Sequence, residues 1–317
     1  LVVRSSWSDE PGTKVLSPEA QSRSLEGLEL VQSVDAVELD SHQSKIALLH
    51  VPDRPGIAAH LFGDVAAKDL DVDLIIQSIN DGNTNDIAFT VNRDCLDRAE
   101  AVAEAIAPTL RQTPTTPNEA DVLIERETAK VSIVGAGMIG RPGVAAKMFS
   151  ALAHAGVNIQ MISTSEVKVS CAISTEDCDR AVKALCDTFN IAQSPMPAAS
   201  SQPPSPISSQ RTADQPPVRG AALDRKQARV AIRHIPDRPG MAARIFELLA
   251  EHHISVDTII QSQRCRMVNN TPTRDIAFTV GQGDASDAKA LLNGIAADLG
   301  CGDITEDEAI AKVSIVG

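Results

Sequence analysis

One thirteen-residue element appears twice in the chain, and this repetition limits the possible folds more than any other feature. HVPDRPGIAAHLF occupies residues 50–62 and HIPDRPGMAARIF residues 234–246, with nine identical positions 184 residues apart. DRPG recurs at 53 and 237, IIQS at 75 and 259, DIAFTV at 86 and 275, and AKVSIVG at 129 and 311. An offset held between 182 and 189 over all these matches means an internal duplication. Each half also repeats within itself. KIALLHVPDRPGIAAHLF from 45 parallels AKVSIVGAGMIGRPGVAAKMF from 129, and DVDLIIQS from 71 parallels GVNIQMIST from 156. The chain therefore holds three units and the start of a fourth.

Unit 1 reads as strand 45–51, helix 55–68, strand 72–79, an NDGN turn, strand 86–92, helix 94–110 and strand 121–127. The first helix carries Ile57, Leu61 and Val65 on one face. The order βαββαβ predicts an α+β fold of tandem ferredoxin-like units. Unit 2 has strands at 129–134, 157–165 and 167–174 and a helix from 177 to 189, but no fourth strand follows. The segment VDAVELDS, 34–41, is expected to complete its sheet, with unit 1 inserted within unit 2; residues 220–227 are expected to do the same for unit 4. Residues 193–220, rich in Pro, Ser, Gln and Ala, read as a linker between the halves. The expected divisions are 1–28 connector, 29–44 completing strand, 45–127 unit 1, 128–192 unit 2, 193–220 linker, 221–227 strand of unit 4, 228–309 unit 3 and 310–317 the start of unit 4.

The Pro-Gly corner is the candidate site. It sets helix N-terminal amides beside a strand end, where unpaired N–H groups and the helix dipole favour a carboxylate. Gly56 and Gly240, read as lying in the first helical turn, let backbone approach a ligand. Asp53 and Asp237 add a negative charge. A zwitterionic amino acid matches both features, although an Asp and an early Pro are also ordinary helix-start chemistry. Unit 2 has Gly140 in place of the Asp, so the first unit of each half is expected to present the main corner, with unit 2 as the partner surface of unit 1, either within one chain or across a dimer. Arg264, Arg266 and Arg274 fall in a loop longer than its unit 1 counterpart; a solvated loop is the default reading and an altered ligand pocket the alternative. His50 and His234 end equivalent strands with no catalytic set nearby.

Other chemistries fit poorly. Gly135, Gly137 and Gly140 form a GxGxxG after a strand, but Pro142 and Gly143 follow where a nucleotide-binding helix should be running. The six cysteines form no CxxC pair, so a zinc site is not expected. A net charge of −13 argues against nucleic acid or an anionic membrane as partner, and no apolar run approaches the roughly 18 residues of a membrane span. With no signal peptide visible, the expected location is cytoplasmic. The start LVVRSSWSDEPGT and the end AKVSIVG read as those of an excerpt.

Strand–DxPG–helix corners on ferredoxin-like repeats resemble ACT domains, the amino-acid-sensing modules. VRSSWSDEPGT (3–13), HVPDRPGIAAHLF, DVDLIIQS, KVSIVGAGM, RPGVAAKMF and VNIQMISTSEVKVS together resemble the end of the kinase domain and the tandem ACT region of aspartate kinases. The second half resembles a duplicated pair, as in the four-ACT cyanobacterial type. The resemblance implies feedback control by lysine and threonine, homo-oligomers formed through ACT domains, and ATP and Mg confined to a kinase domain, with no cofactor in this region. It places effector contacts at Asp53, Arg54, Pro55, Gly56, Ile57 and Ala58, with strand positions Asp71, Val72, Asp73 and Gln77. The facing unit 2 positions are Val144, Ala145, Asn158, Ile159, Ser165 and Glu166. Unit 3 contributes Asp237, Gly240, Met241, Ala242, Ser255, Val256, Asp257 and Gln261, facing unit 4. The alternative is a stand-alone ACT-repeat sensor without kinase activity.

Overall fold

The computed structural model describes residues 2–3, 13–14, 33–80, 84–111, 119–135, 138, 141–165, 167–191, 196–197, 220–262 and 266–316. The chain divides into two compact segments, Leu1–Gln32 and Ser33–Gly317. In the first, β1 (Val2–Val3) and β2 (Thr13–Lys14) pair antiparallel.

The second segment begins with a long strand, β3 (Ala36–Pro52), which serves two units. Its later part pairs with β5 (Thr84–Asn92) and with the first part of β6 (Asp121–Val134); its earlier part, Ala36–Asp40, pairs with Lys130–Val134 of β6. The register breaks between Asp40 and Gln43, where Asp40 accepts hydrogen bonds from His42 N (3.0 Å) and Gln43 Nε2 (2.8 Å). Unit 1 continues through α1 (Ile57–Ala66), β4 (Val72–Asn80), β5 (Thr84–Asn92), α2 (Leu96–Leu110) and β6 (Asp121–Val134). Unit 2 adds α3 (Val144–His154), β7 (Met161–Thr164), β8 (Lys168–Ser174), α4 (Cys178–Phe189) and β9 (Met196–Pro197). The sheet order is β4-β5-β3-β6-β8-β7, with β9 parallel to Glu38–Leu39 of β3. Where separate strands at 121–127 and 129–134 were expected, one continuous strand runs, because β3 beside it is also continuous. Residues 196–197, expected in the linker, are docked on the sheet.

The second half repeats this plan with β10 (Gly220–Pro236), α5 (Met241–Glu251), β11 (Val256–Gln261), β12 (Arg266–Val268), β13 (Thr271–Gly281), α6 (Ala285–Leu299) and β14 (Ile304–Val316). Its order is β11-β13-β10-β14, with β12 on β13. Gly220–Asp224 pairs with Lys312–Val316, and Asp224 accepts from Lys226 N and Gln227 Nε2 as Asp40 does in β3.

Helices α1 and α2 cover one face of unit 1 over a core containing Leu48, Leu61, Phe89 and Ile106. A second core runs without a break from unit 2 into unit 3, from Val131, Phe149 and Leu185 to Phe246, Phe278 and Leu292. Phe246 stands 5.5 Å from the Phe149 ring and 5.4 Å from that of Phe278. A smaller cluster, Ala47, Leu74, Ile76, Ala88, Met161 and Ala172 with Ile260 against it, joins the helix-free face of unit 1 to β7, β8 and β11.

Candidate functional site

Each Pro-Gly corner has the same backbone. Gly56, Gly143 and Gly240 are the N-caps of α1, α3 and α5, with φ of 91°, 91° and 94°. These glycines lie before the first helical turn rather than in it, in the left-handed region that residues with a Cβ avoid. No side chain caps any of the three helices, and their first amides have no intrahelical acceptor. Just upstream, His50 and His234 also take positive φ, 54° and 56°. Asp86 Oδ1 accepts from His50 N (2.9 Å) and Asp275 Oδ1 from His234 N (2.8 Å), so an aspartate in the neighbouring strand holds each bend. Gly135 stands at the unit 2 equivalent. A Cβ there would lie 2.4 Å from Ser33 O and 2.8 Å from Val34 Cα. That glycine is closed off by backbone rather than open to a phosphate. Gly137 and Gly140 lie outside the described residues.

Units 2 and 3 meet side by side, helix against helix and edge against edge. A Cβ on Gly143 would sit 3.3 Å from Ala250 Cβ, and one on Gly240 3.8 Å from Ala153 Cβ, so the two helices approach closely in a reciprocal way. Thr164 Oγ1 donates to Asp257 O (2.9 Å) and accepts from Ile259 N (3.2 Å), and Gln261 Nε2 donates to Ile159 O (3.3 Å). This pairing creates two quasi-equivalent clefts. At α3, Arg141, Val144, Ala145, Thr164 and Ser165 face Ser255, Val256, Asp257 and Lys312 across about 260 Å³. At α5, Asn158 and Ile159 face Asp237, Gly240, Met241, Ala242, Gln261 and Arg274 across about 30 Å³.

Within the chain, the expected partnership of unit 1 with unit 2 is therefore not the one observed. Units 1 and 2 share β3 and β6, which puts β4 and β7 last at either end of the strand order, and these two strands meet through the small cluster of Leu74, Ile76 and Met161 rather than edge to edge. Val144, Ala145 and Ser165 face unit 3, as do Asn158 and Ile159; unit 3 in turn faces unit 2 rather than unit 4. Glu166 lies outside the described residues. In unit 1, Asp53 accepts from Asn85 Nδ2 (2.9 Å), and Arg54 reaches back to Leu110 O (2.9 Å) at the end of α2. Pro55, Asp71 and Gln77 are exposed and Ala58 is half-buried, while Ile57 and Val72 pack on the unit 1 core. Asp73 pairs with Lys130, as Asp257 pairs with Lys312. The contrast with unit 3 shows in one pair of equivalents: Ile75 is 49% exposed and Ile259 is 2% exposed.

Arg274, read by default as part of a solvated loop with an altered ligand pocket as the alternative, takes the pocket place, while Arg264 lies outside the described residues. Arg274 stands in β13 opposite Ile235 and points into the α5 cleft. The available signal was its register with Asn85, one residue before the shared Asp-Ile-Ala-Phe-Thr-Val. Among the described residues no group of His, Cys, Asp and Glu could hold a metal ion, and no helix is long and apolar enough to cross a membrane.

ACT-domain family models match residues 131–189 and 230–297, in the two units that form the clefts. The solved aspartate kinase from Synechocystis is 58% identical, with a TM-score of 0.83, over the whole of this chain and 52% of that one. The chain belongs to the aspartate kinase family. An aspartokinase from Thermus thermophilus is 38% identical over 193 residues, 60% of this chain and 44% of that protein. This aspartate kinase family member thus spans under half the length of that curated relative. It is also 37% identical to the regulatory subunit of aspartate kinase from Thermus thermophilus, covering 99% of that subunit with 49% of its own length, at a TM-score of 0.44.

Proposed function

We propose that the chain is the regulatory part of an aspartate kinase and that its α3 cleft takes a free α-amino acid, lysine or threonine, as feedback effector. The observation that carries this reading is the open cleft itself. The unpaired amides at the start of α3 are suited to a carboxylate. Asp257 and Ser255 on the facing unit offer acceptors for an ammonium, and Lys312 neutralises part of Asp257. The unit 1 corner is a half-site of the same design. ATP and Mg belong to the catalytic part of the enzyme, which phosphorylates aspartate; the closed-off Gly135 supports leaving them there. Homo-oligomers are the expected assembly. The free thiols Cys95, Cys171, Cys178, Cys186 and Cys301 fit a reducing, cytoplasmic setting.

Effectors of this kind bind with roughly 4–8 kcal/mol, millimolar to micromolar. Feedback then requires different affinity in two enzyme states. Ala145→Leu, which fills the α3 cleft, should abolish the calorimetric signal of lysine or threonine there and leave the kinase active but less sensitive to that amino acid. Unchanged binding in Ala145→Leu, or no binding of either amino acid to the parent chain at about 1 mM, would count against the assignment.

A further inference from the structure

We infer that Arg274 is a built-in occupant of the α5 cleft, so that the pair formed by units 2 and 3 takes one amino-acid effector, at α3, and excludes a second. The inference rests on reading the α3 cleft as an effector site and adds which of the two clefts works and what closes the other.

The three corners differ at one pair of positions. Unit 1 has Asp53 with Asn85, unit 3 has Asp237 with Arg274, and unit 2 has Gly140 with Val167. In unit 1 a neutral amide donates to Asp53 and leaves its charge uncompensated. In unit 3 the guanidinium takes that place. Arg274 Nε donates to Asp237 Oδ2 at 2.8 Å, and Asn158 Nδ2, from unit 2, donates to Oδ1 at 3.1 Å. Arg274 Nη1 also reaches Ser262 O (3.3 Å) and Gln160 O (3.5 Å). An effector's ammonium would need this same set of carboxylate and strand carbonyls. The two side chains are 10% and 11% exposed, so displacing one would strand its partner's charge away from water. What remains of the cleft, about 30 Å³, is room for a water or two, against about 260 Å³ at α3, where neither Asp nor Arg occupies these positions. Of the two corners in this pair, the one carrying the full DRPG motif is thus the closed one.

Met138 lines the α3 cleft and Met241 the α5 cleft. The chain labelled at methionine methyls with ¹³C is titrated separately with L-lysine and L-threonine. In the parent protein, the effector should shift Met138 and leave Met241 in place. In Arg274→Asn, which restores the unit 1 arrangement, Met241 should shift as well, while the Met148 methyl, fully buried in the core, reports that the fold is kept. A Met241 shift matching that of Met138 in the parent chain would overturn the inference and leave the effector reading standing. So would a folded Arg274→Asn chain in which only Met138 responds. If Arg274→Asn fails to fold, the parent titration alone decides. Silence of both methyls in both proteins would sink the effector reading, and this inference with it.

Discussion

Gly56, Gly143 and Gly240 carry the corner, and the physical reason is backbone conformation before it is ligand access. The repeated Pro-Gly was legible; its φ near 91° was not, because a glycine after proline is equally at home inside a first helical turn. The distinction has a measurable outcome. Gly240→Ala should destabilise the chain by about 1–2 kcal/mol in denaturant titrations, the cost of a left-handed L-residue. Gly294→Ala, at an exposed position inside α6 with open space around it, should stabilise by up to about 1 kcal/mol. Equal effects at the two sites would contradict the cap assignment. The pocket place of Arg274 was legible only as the lesser of two readings for a related reason: a longer loop reads as solvent, and only a facing unit turns its base into a cleft wall. Lys45 was unreadable as a special residue. Its side chain is fully buried, 2.8 Å from Glu125 Oε1, and burial holds its ammonium below the usual lysine range despite the stabilising field of Glu125. The folded state therefore releases this proton at lower pH than the unfolded state, which holds it to about 10.5. Between those two values the unfolded chain binds more protons, so this residue's contribution to stability rises with pH. Subtracting the pH profile of Lys45→Met from that of the parent should isolate a rising term in that alkaline window. A flat difference would mean that Lys45 is solvated.

At the scale of elements, β3 and β6 are the unusual parts. The sequence placed a strand near 34–41 by elimination, since unit 2 lacked a fourth strand and no other candidate lay nearby. The register follows from side-chain alternation: Val37 is buried against the unit 2 core, as are Val131 and Ile133 of β6, and Leu39 packs on the same core. The two-residue β9 could not have been read, because Met196–Pro197 has no periodicity and takes its strand character from the free edge of β3. Val37→Asp should put an uncompensated charge into that core at a cost of about 3–5 kcal/mol. Hydrogen exchange should show β8, α3 and α4 losing protection while β4, β5 and α2 keep more of theirs. Uniform loss across both units would show that the shared strands make units 1 and 2 a single cooperative block.

For the molecule as a whole, the repeat count and the α+β class were legible, and the partnership of the units was not. Periodicity tells which face of a helix is apolar, but the match between two edges depends on where the shared strands leave them. The consequence concerns the connection between the halves. Protease cleavage within 198–219 is expected, since that stretch has little to bury. The products should nevertheless co-elute in size-exclusion chromatography, because one core passes through Phe149, Phe246 and Phe278. Phe246→Ala, costing about 3–5 kcal/mol, should let them separate; separation of the uncut-core parent fragments would contradict a continuous core. The shared strands also set an order of events during synthesis. Ala36–Asp40 leave the ribosome 90 residues before their partners begin at Lys130. At about 5–20 residues per second, that is a wait of roughly 5–20 s. Through it the nascent chain carries Val37 and Leu39 uncovered while unit 1 assembles downstream, and Ala221 and Leu223 wait in the same way for Val313 and Ile315.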